Sequence, residues 1–297
     1  MIPSGTLRGI AAMLAACAAF ACMDSLLKIL SGTFSPAQVA AMRGLTSLPL
    51  VCLYVAWRGE TRALFARKLR WRLHAVRGVL TLSMLMLFTY GLRTLGLAEA
   101  YTLTFVAPLV ITLLSVPLLG ESVRSRHWVA IAVGFVGVIV ALRPDSSGFL
   151  SLGALAILAA AVCYALSNVL GRLVSRTEPS STLVFWTTVS MSVGGVLLAA
   201  PAWVPLGPEH IGLLVGLAIS GFLGQLAISE AFRHGQAAAI APFEYSALAW
   251  AIAFDWLIWH TVPDAWTLGG GAIIIASGLY LARHEAPRAR MAAQGAP

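Results

Sequence analysis

Ten long apolar runs dominate the sequence and decide what class of protein it can form. We number them spans 1 to 10; they cover residues 7–27, 36–57, 75–95, 100–119, 127–142, 149–171, 182–203, 211–229, 237–259 and 266–282. A helix needs about 20 apolar residues to cross a bilayer, and only the fifth run is marginal. Open sheets are excluded because hydrocarbon offers no partners for their unpaired backbone groups. The pattern predicts an all-α polytopic membrane protein with ten transmembrane helices.

The composition excludes several other classes of protein. Charged residues make up 11% of the 297 residues and hydrophobic residues 59%, whereas about 25% of a soluble domain is charged. The ten spans leave no room for a soluble catalytic or nucleotide-binding domain. The net charge of +8 would suggest nucleic acid in a soluble protein, but here the basic residues lie in loops. We therefore expect membrane lipid and a small molecule as partners, and no nucleic acid.

The basic residues also predict how the chain sits in the membrane. If the N-terminus is inside, the inner segments hold sixteen Lys and Arg residues and the outer segments three. Basic loops stay on the cytoplasmic side. We predict a multi-pass protein of the bacterial inner membrane with both termini in the cytoplasm.

The chain repeats itself at a shift of about 140 to 144 residues. A shift of 144 places Asp24 on Asn168, and a shift of 140 places Phe105 on Tyr245. Each half then holds five spans. Because five is odd, the second half must enter the membrane in the opposite sense to the first.

The repeat predicts two inverted five-helix halves, residues 1–145 and 146–285, followed by a cytoplasmic tail of residues 286–297. Inverted repeats of this kind are typical of secondary transporters, whose substrate site lies near the midplane between the halves.

Two stretches of the sequence carry a family resemblance. Residues 100–143 contain Pro108, Gly120-Glu121 and Gly137 and resemble the end of an EamA-type repeat in the drug/metabolite transporter superfamily. The segment Ala-Pro-Phe-Glu-Tyr at residues 241–245, with Val-Pro-Asp at 262–264, resembles the matching part of a second repeat. The resemblance extends over residues 7–284.

The resemblance implies ten helices and transport of small metabolites, frequently the export of amino acids. The aromatic amino-acid exporter branch is the first group for comparison. The chain departs from the family pattern at His260-Thr261, where the second repeat commonly reads Gly-Glu. The acidic residue of this loop is therefore present only in the first half, as Glu121.

Glu244 is the first charged candidate for the site. It lies about a third of the way into span 9, next to Tyr245, and a charge inside a span is costly enough to need a reason. It could bind a substrate ammonium group or carry a coupling proton. A purely structural carboxylate is the competing interpretation.

Asp24 has a stronger structural interpretation. It stands four residues before Lys28, the spacing of an ion pair within one helix. We expect Asp255 to be solvated or paired. Loop salt bridges are expected where Arg93 and Glu99 flank an outer turn, and where residues 230, 233 and 234 flank an inner turn.

Pro108 predicts a broken helix in span 4. Proline removes one backbone donor and frees the carbonyl four residues earlier, that of Thr104. A kink with aromatic residues on both sides suits a cavity for an apolar or aromatic side chain, although ordinary helix packing uses the same residues. The predicted substrate-binding residues are Glu244, Tyr245, Trp250, Tyr101, Thr104, Phe105, Pro108, Phe20, Asp24, Tyr90, Tyr164, Asn168 and Gln225.

Other functions receive less support from the sequence. The histidines lie in loops or at span ends, and no metal-ligand, nucleophile or phosphate-loop motif is present. We therefore expect neither an enzyme nor a cofactor or bound metal. A passive facilitator or channel, or an exporter of nucleosides, sugars or organic cations, remains open. The sequence as a whole predicts a monomeric secondary transporter that exports amino acids or related small metabolites by alternating access.

Overall fold

The computed structural model describes residues 4–66, 69–119, 125–142, 151–234 and 241–294. These residues form α-helices and short 3₁₀ helices, and no strand occurs among them. The all-α prediction is therefore confirmed. The predicted family marker Gly120-Glu121 lies outside the described residues.

The helices follow the predicted spans closely. The α-helices are α1 Ser4–Ser31, α2 Pro36–Trp57, α3 Trp71–Leu92, α4 Leu97–Thr104, α5 Ala107–Leu119, α6 Ser125–Leu142, α7 Leu152–Ser175, α8 Ser180–Ala199, α9 Ile211–His234, α10 Ser246–Trp259 and α11 Ala265–Gln294. The 3₁₀ helices are Thr61–Phe65, Ala200–Ala202, Pro208–His210 and Ala241–Tyr245. The backbone of α11 stays helical through Gln294, into the predicted tail.

Length and hydropathy support membrane crossing. Seven helical segments of the described chain are long and apolar enough to cross a membrane. Two shorter apolar helices, Trp128–Leu142 and Ala265–Tyr280, correspond to spans 5 and 10. The described residues of span 9 form the 3₁₀ helix Ala241–Tyr245 followed directly by α10.

Local sequence explains where individual helices begin. The Ser35 side chain accepts a hydrogen bond from the Gln38 N–H at 3.2 Å, and Pro36 occupies the first turn of α2. Ser151 caps α7 in the same way, through the Ala154 N–H at 3.1 Å. A side-chain oxygen at this position satisfies a backbone donor that the first turn leaves free.

Helices of the first half pair with helices of the second half. Helix α1 packs along α9, α3 along α7, α2 along α8, α4 against α10, and α6 along α11. Exchanging each span with its counterpart five spans later turns the α1–α9 pair into the α7–α3 pair and leaves the other three pairs unchanged. This arrangement is what a two-fold relation between the halves requires.

Small residues allow two of these pairs to approach closely. A Cβ atom built on Gly44 would lie 2.6 Å from the Ser192 backbone nitrogen, and one on Gly195 would lie 2.6 Å from the Ala41 nitrogen. Between α6 and α11, a Cβ on Gly270 would lie 2.6 Å from the Gly137 carbonyl oxygen. Helices in lipid associate through close packing of this kind.

Spans 4 and 9 are both interrupted, at matching positions. Span 4 ends its first helix at Thr104 and resumes as α5 at Ala107, with Pro108 in the first turn of α5. The described part of span 9 is a 3₁₀ helix from Ala241 to Tyr245 that becomes α10 at Ser246. The predicted break at Pro108 is thus present. Phe105 and Tyr245, which the repeat aligns, place their ring centroids 5.1 Å apart.

Candidate functional site

A cavity of about 560 Å³ lies at the centre of the helix bundle. Residues from both halves line it: Phe20, Met23, Asp24, Arg43, Met84, Leu85, Phe88, Tyr101, Thr104, Phe105, Ala160, Ala161, Tyr164, Asn168, Gln225, Ile228 and Ala247. Phe20, Met23 and Asp24 point the same way because residues three and four apart share a helix face. The cavity is within the range of about 300–1,000 Å³ that small-molecule sites occupy.

One wall of the cavity is charged. The Tyr101 hydroxyl donates a hydrogen bond to Asp24 Oδ2 at 2.6 Å, and both residues are less than a tenth exposed. The Arg43 guanidinium interacts electrostatically with Asp24. We call Asp24, Arg43 and Tyr101 the polar pole of the cavity. It joins α1, α2 and α4.

Aromatic and apolar side chains form most of the rest of the wall, together with the polar residues Thr104, Asn168 and Gln225. Phe105 makes an edge contact with Tyr101, with ring centroids 6.4 Å apart, and Phe20, Phe88 and Tyr164 lie on other helices around the space. Asn168 donates its amide to the Tyr164 carbonyl oxygen one turn earlier, at 2.8 Å. The cavity therefore combines one charged wall with a broad apolar surface.

The structure brings most, but not all, of the predicted site residues together. The predicted residues that line the cavity are Phe20, Asp24, Tyr101, Thr104, Phe105, Tyr164, Asn168 and Gln225. Arg43, Met23, Met84, Leu85, Phe88, Ala160, Ala161, Ile228 and Ala247 also line it, and the sequence analysis did not select them. A signal for Arg43 was available, because a basic residue inside a span is costly unless it has a function or a partner.

Five predicted residues lie outside this cavity: Glu244, Tyr245, Trp250, Pro108 and Tyr90. The side chains of Pro108, Tyr90 and Trp250 are exposed on the bundle. Tyr245 lies behind Phe105, and its hydroxyl fills the space where a Cβ on Gly278 would be.

Glu244 is exposed and does not line this cavity, although it interacts electrostatically with the cavity residue Tyr164. The prediction assumed an α-helix in this segment. The backbone forms a 3₁₀ helix instead. This helix has three residues per turn rather than 3.6, so each side chain points in a different direction from the one an α-helix would give it.

Contacts of three charged residues link the helices at one end of the bundle, which we call the Lys28 end. The Lys28 Nζ contacts Asp255 Oδ1 at 3.1 Å and lies 4.1 Å from the centre of the Trp259 ring. Asp255 Oδ2 accepts a hydrogen bond from the Ala98 N–H at 2.9 Å. Arg93 donates to the carbonyl oxygens of Ser31 and Phe34, at the end of α1 and in the turn that follows.

These contacts correct two predicted ion pairs. Lys28 does not pair with Asp24 four residues earlier; its partner is Asp255, 227 residues further on. Asp255 is paired, as one of the two expectations had it, but it is not solvated, because only 2% of it is exposed. Glu99 accepts a hydrogen bond from the Gly96 N–H, at the start of α4. Arg93 and Glu99 therefore bind backbone groups, and their predicted salt bridge is wrong.

The opposite end, which we call the basic end, is tied between α3 and α7. The His74 Nε2 lies 2.6 Å from Glu178 Oε2, and the Arg70 N–H donates to the other carboxylate oxygen at 2.9 Å. Arg77 donates to the Ser167 carbonyl oxygen at 3.2 Å. The predicted inner salt bridge is confirmed for Glu230 and Arg233, at 3.7 Å; the His234 side chain lies outside the description.

Exposure of the cavity wall increases towards the basic end. Asp24 and Tyr101 are buried, whereas Tyr164 is 42% exposed and Gln225 is also exposed. At 1.5 Å per residue, Tyr164 lies about 18 Å along α7 from the start of that helix, and Gln225 lies about 21 Å along α9 from its start. Both residues therefore lie well down the bundle from the Lys28 end. The cavity wall is therefore buried at Asp24 and Tyr101 of the polar pole and most exposed towards the basic end.

Comparison with known proteins decides the family. The model of the EamA-like transporter family matches twice, over residues 7–143 and 151–283. The chain belongs to the EamA-like transporter family. A solved structure with a TM-score of 0.60 and 21% identity covers 95% of this chain and 98% of its own, which shows a shared fold.

Curated members of the EamA-like family are similar to this chain over most of its length. The pseudopaline exporter of Pseudomonas aeruginosa is 29% identical, covering 89% of this chain and 92% of the relative. The S-adenosylmethionine uptake transporter of Rickettsia conorii is 26% identical and covers 88% of both chains. The riboflavin transporter of Vibrio cholerae is 27% identical and covers 96% of both.

The family membership confirms the broader expectation and leaves the finer one without support. The protein is a small-molecule transporter of the EamA-like family and a multi-pass membrane protein. Its relatives carry names for pseudopaline, S-adenosylmethionine and riboflavin. They do not single out the aromatic amino-acid exporter branch that the sequence analysis placed first.

Proposed function

We propose that this protein exports apolar or aromatic amino acids, or related small metabolites, across the bacterial inner membrane by alternating access. The observation that carries the proposal is the central cavity, which combines a charged pole with aromatic walls and draws residues from both halves. An amino acid with an apolar side chain has the same division between a charged head and an apolar body.

The helix breaks support the alternating-access part of the proposal. Interrupted helices at corresponding positions of two repeats are typical of transporter binding sites. Here the breaks in spans 4 and 9 meet beside the cavity through Phe105 and Tyr245. Rocking of one half against the other about this region would expose the cavity to each end in turn.

The distribution of basic residues supports the orientation. We propose that the basic end faces the cytoplasm, with both termini there. The two repeats are proposed to be residues 1–145 and 146–285, with a cytoplasmic tail after them and a monomer as the transporting unit. In this orientation, we propose that the contacts of Lys28, Asp255 and Arg93 close the cavity towards the outside.

Uptake of labelled L-phenylalanine into proteoliposomes, with and without an imposed pH gradient, tests the proposal. We expect saturable uptake that unlabelled apolar amino acids compete away, and protein-free liposomes supply the baseline. Stimulation by the gradient supports proton coupling, whereas uptake that is indifferent to it favours a passive facilitator. Absence of uptake under both conditions contradicts the amino-acid assignment, and riboflavin, S-adenosylmethionine, nucleosides, sugars and organic cations become the next substrates for measurement.

A further inference from the structure

Arg43 has a position that the packing of the bundle does not explain. It lies within α2, in a span, where an unmatched charge is costly. Its side chain is half-buried and lines both the central cavity and a side cleft of about 170 Å³ next to it. A basic residue that only held helices together would use its donors on a neighbouring helix.

The Arg43 guanidinium leaves its donors free. Within the described part of the chain, it makes no hydrogen bond and no direct ion pair, and its interactions are longer-range electrostatic ones with Asp24 and Tyr101. Arg93 and Arg77 behave differently, since each donates to backbone carbonyl oxygens. Arg43 is thus directed at the cavity with its hydrogen-bonding capacity unused.

Asp24 does not take these donors. Its Oδ2 is held by the Tyr101 hydroxyl at 2.6 Å. Asp24 therefore offsets the charge of Arg43 through a longer-range electrostatic interaction and forms no direct ion pair with it. The competing cation, Lys28, is bound to Asp255 and does not reach the pole.

We infer that Arg43 anchors the carboxylate of the transported substrate, with Asp24 facing the substrate's ammonium group; this inference rests on the proposed function. A guanidinium presents its donors in a planar fork that matches a carboxylate with two parallel hydrogen bonds. One arginine and one aspartate give the pole no net charge. A zwitterion matches both groups, whereas a lone carboxylate or a lone amine leaves one of them unmatched.

The inference makes Arg43 a residue that determines specificity. L-Phenylalanine should bind more tightly than 3-phenylpropanoate, which lacks the ammonium group, and both should bind more tightly than L-phenylalanine amide, which lacks the carboxylate. Replacing Arg43 by Gln should weaken binding of L-phenylalanine by about ten- to a hundredfold, the usual range for a hydrogen bond to a charged group. Arg43→Lys should recover only part of it, because an ammonium group cannot form the paired contact.

Chemical modification of the full-length protein in lipid nanodiscs provides the direct test. Phenylglyoxal reacts with free guanidinium groups, and mass spectrometry of the peptide containing Arg43 measures the extent of reaction. We expect Arg43 to react, L-phenylalanine and 3-phenylpropanoate to protect it in that order, and the amide to protect it weakly. The reaction of Arg93 supplies the control, since Arg93 does not line the cavity and should not be protected by a ligand bound there.

Two results would overturn the inference. The first is an Arg43 that does not react, or that neither carboxylate protects. The second is an Arg43→Gln variant that stays monodisperse and keeps the wild-type preference for L-phenylalanine over its amide. If that variant does not fold, the protection experiment on the wild-type protein still decides.

The same measurements separate this inference from the proposed function. Saturable uptake of L-phenylalanine that Arg43→Gln leaves unchanged would uphold the amino-acid transporter and reject the anchor. Protection of Arg43 by 3-phenylpropanoate without any uptake of L-phenylalanine would uphold a carboxylate site and reject the amino-acid substrate.

Discussion

At the scale of single residues, the structure redistributes the roles of the acidic side chains. The sequence makes Glu244 a candidate substrate ligand and predicts that Asp24 forms an ion pair with Lys28 within α1. The structure places Asp24 in the cavity wall, hydrogen-bonded to Tyr101, and leaves Glu244 exposed outside that cavity. Asp24 is therefore the carboxylate that a bound substrate would meet.

Substitution of each carboxylate by its amide separates the two roles. We expect Asp24→Asn to lower L-phenylalanine uptake by at least about tenfold, because the amide keeps the Tyr101 contact but loses the charge that faces the substrate. Glu244→Gln should leave uptake within about twofold of wild type, since exposed substitutions usually have small effects. Initial rates in proteoliposomes, corrected for the amount of inserted protein, provide the comparison. Equal losses in the two variants would contradict this assignment.

The errors at this scale have a common physical origin. Sequence spacing identifies neighbours on the same helix, and it brought Lys28 and Asp24 together on that basis. The observed partner of Lys28 lies 227 residues away on α10, and only the packing of the two halves brings them together. The direction of Glu244 depended on a 3₁₀ segment that apolar periodicity does not distinguish from an α-helix.

At the scale of helices, sequence alone went much further. Apolar length predicted most helices to within a few residues, since a helix in lipid must satisfy its own backbone groups. The exception at the C-terminus is α11, which continues to Gln294, beyond the end of span 10 at residue 282. Pro108 predicted the break in span 4, because proline cannot continue the hydrogen-bond ladder. The interruption in span 9 also contains a proline, Pro242, which lies within the 3₁₀ helix Ala241–Tyr245.

The break at Pro108 should matter for turnover rather than for folding. Pro108→Ala restores a backbone donor and favours a continuous helix through span 4. We expect a folded protein whose maximal uptake rate falls several-fold while its apparent affinity changes little, because Pro108 itself is exposed and does not line the cavity. Wild-type kinetics would mean that the break serves only packing.

The close approach of α2 and α8 gives a prediction about stability. Gly44→Ala would place a Cβ 2.6 Å from the Ser192 backbone nitrogen, and overpacking of this kind typically costs about 1–3 kcal/mol. Gly212→Ala is the matched control, since a Cβ there meets nothing within 4 Å. Thermal unfolding in one detergent should show a lower Tm for Gly44→Ala and a near-native Tm for the control. Equal Tm values would show that the helices separate at little cost.

At the scale of the whole molecule, helices from both halves pack around the central cavity. The repeat in the sequence predicted the five-plus-five organisation, and the pairing of helices between the halves has the exchange symmetry of a two-fold relation. The sequence could not show which contacts hold the Lys28 end together. They involve Lys28, Asp255 and Ala98, which come from three different helices, α1, α10 and α4.

The Lys28–Asp255 contact should control the conformational equilibrium. The pair is largely buried, and removing one partner alone would leave an uncompensated charge. The double substitution Lys28→Met with Asp255→Asn avoids this and keeps an acceptor for the Ala98 N–H. We expect it to favour opening of the Lys28 end. The exposed Arg58–Glu60 pair at the basic end is the matched control, because exposed ion pairs contribute little.

Distance measurement between spin labels at both ends tests alternating access most directly. One pair at exposed positions 32 and 262 reports on the Lys28 end, and another at exposed positions 62 and 176 reports on the basic end. We expect the two distances to shift in opposite senses, one end opening as the other closes. This should occur when L-phenylalanine is added, and also in the Lys28→Met, Asp255→Asn variant. Distances that stay fixed in all samples, or that increase together at both ends, would contradict it.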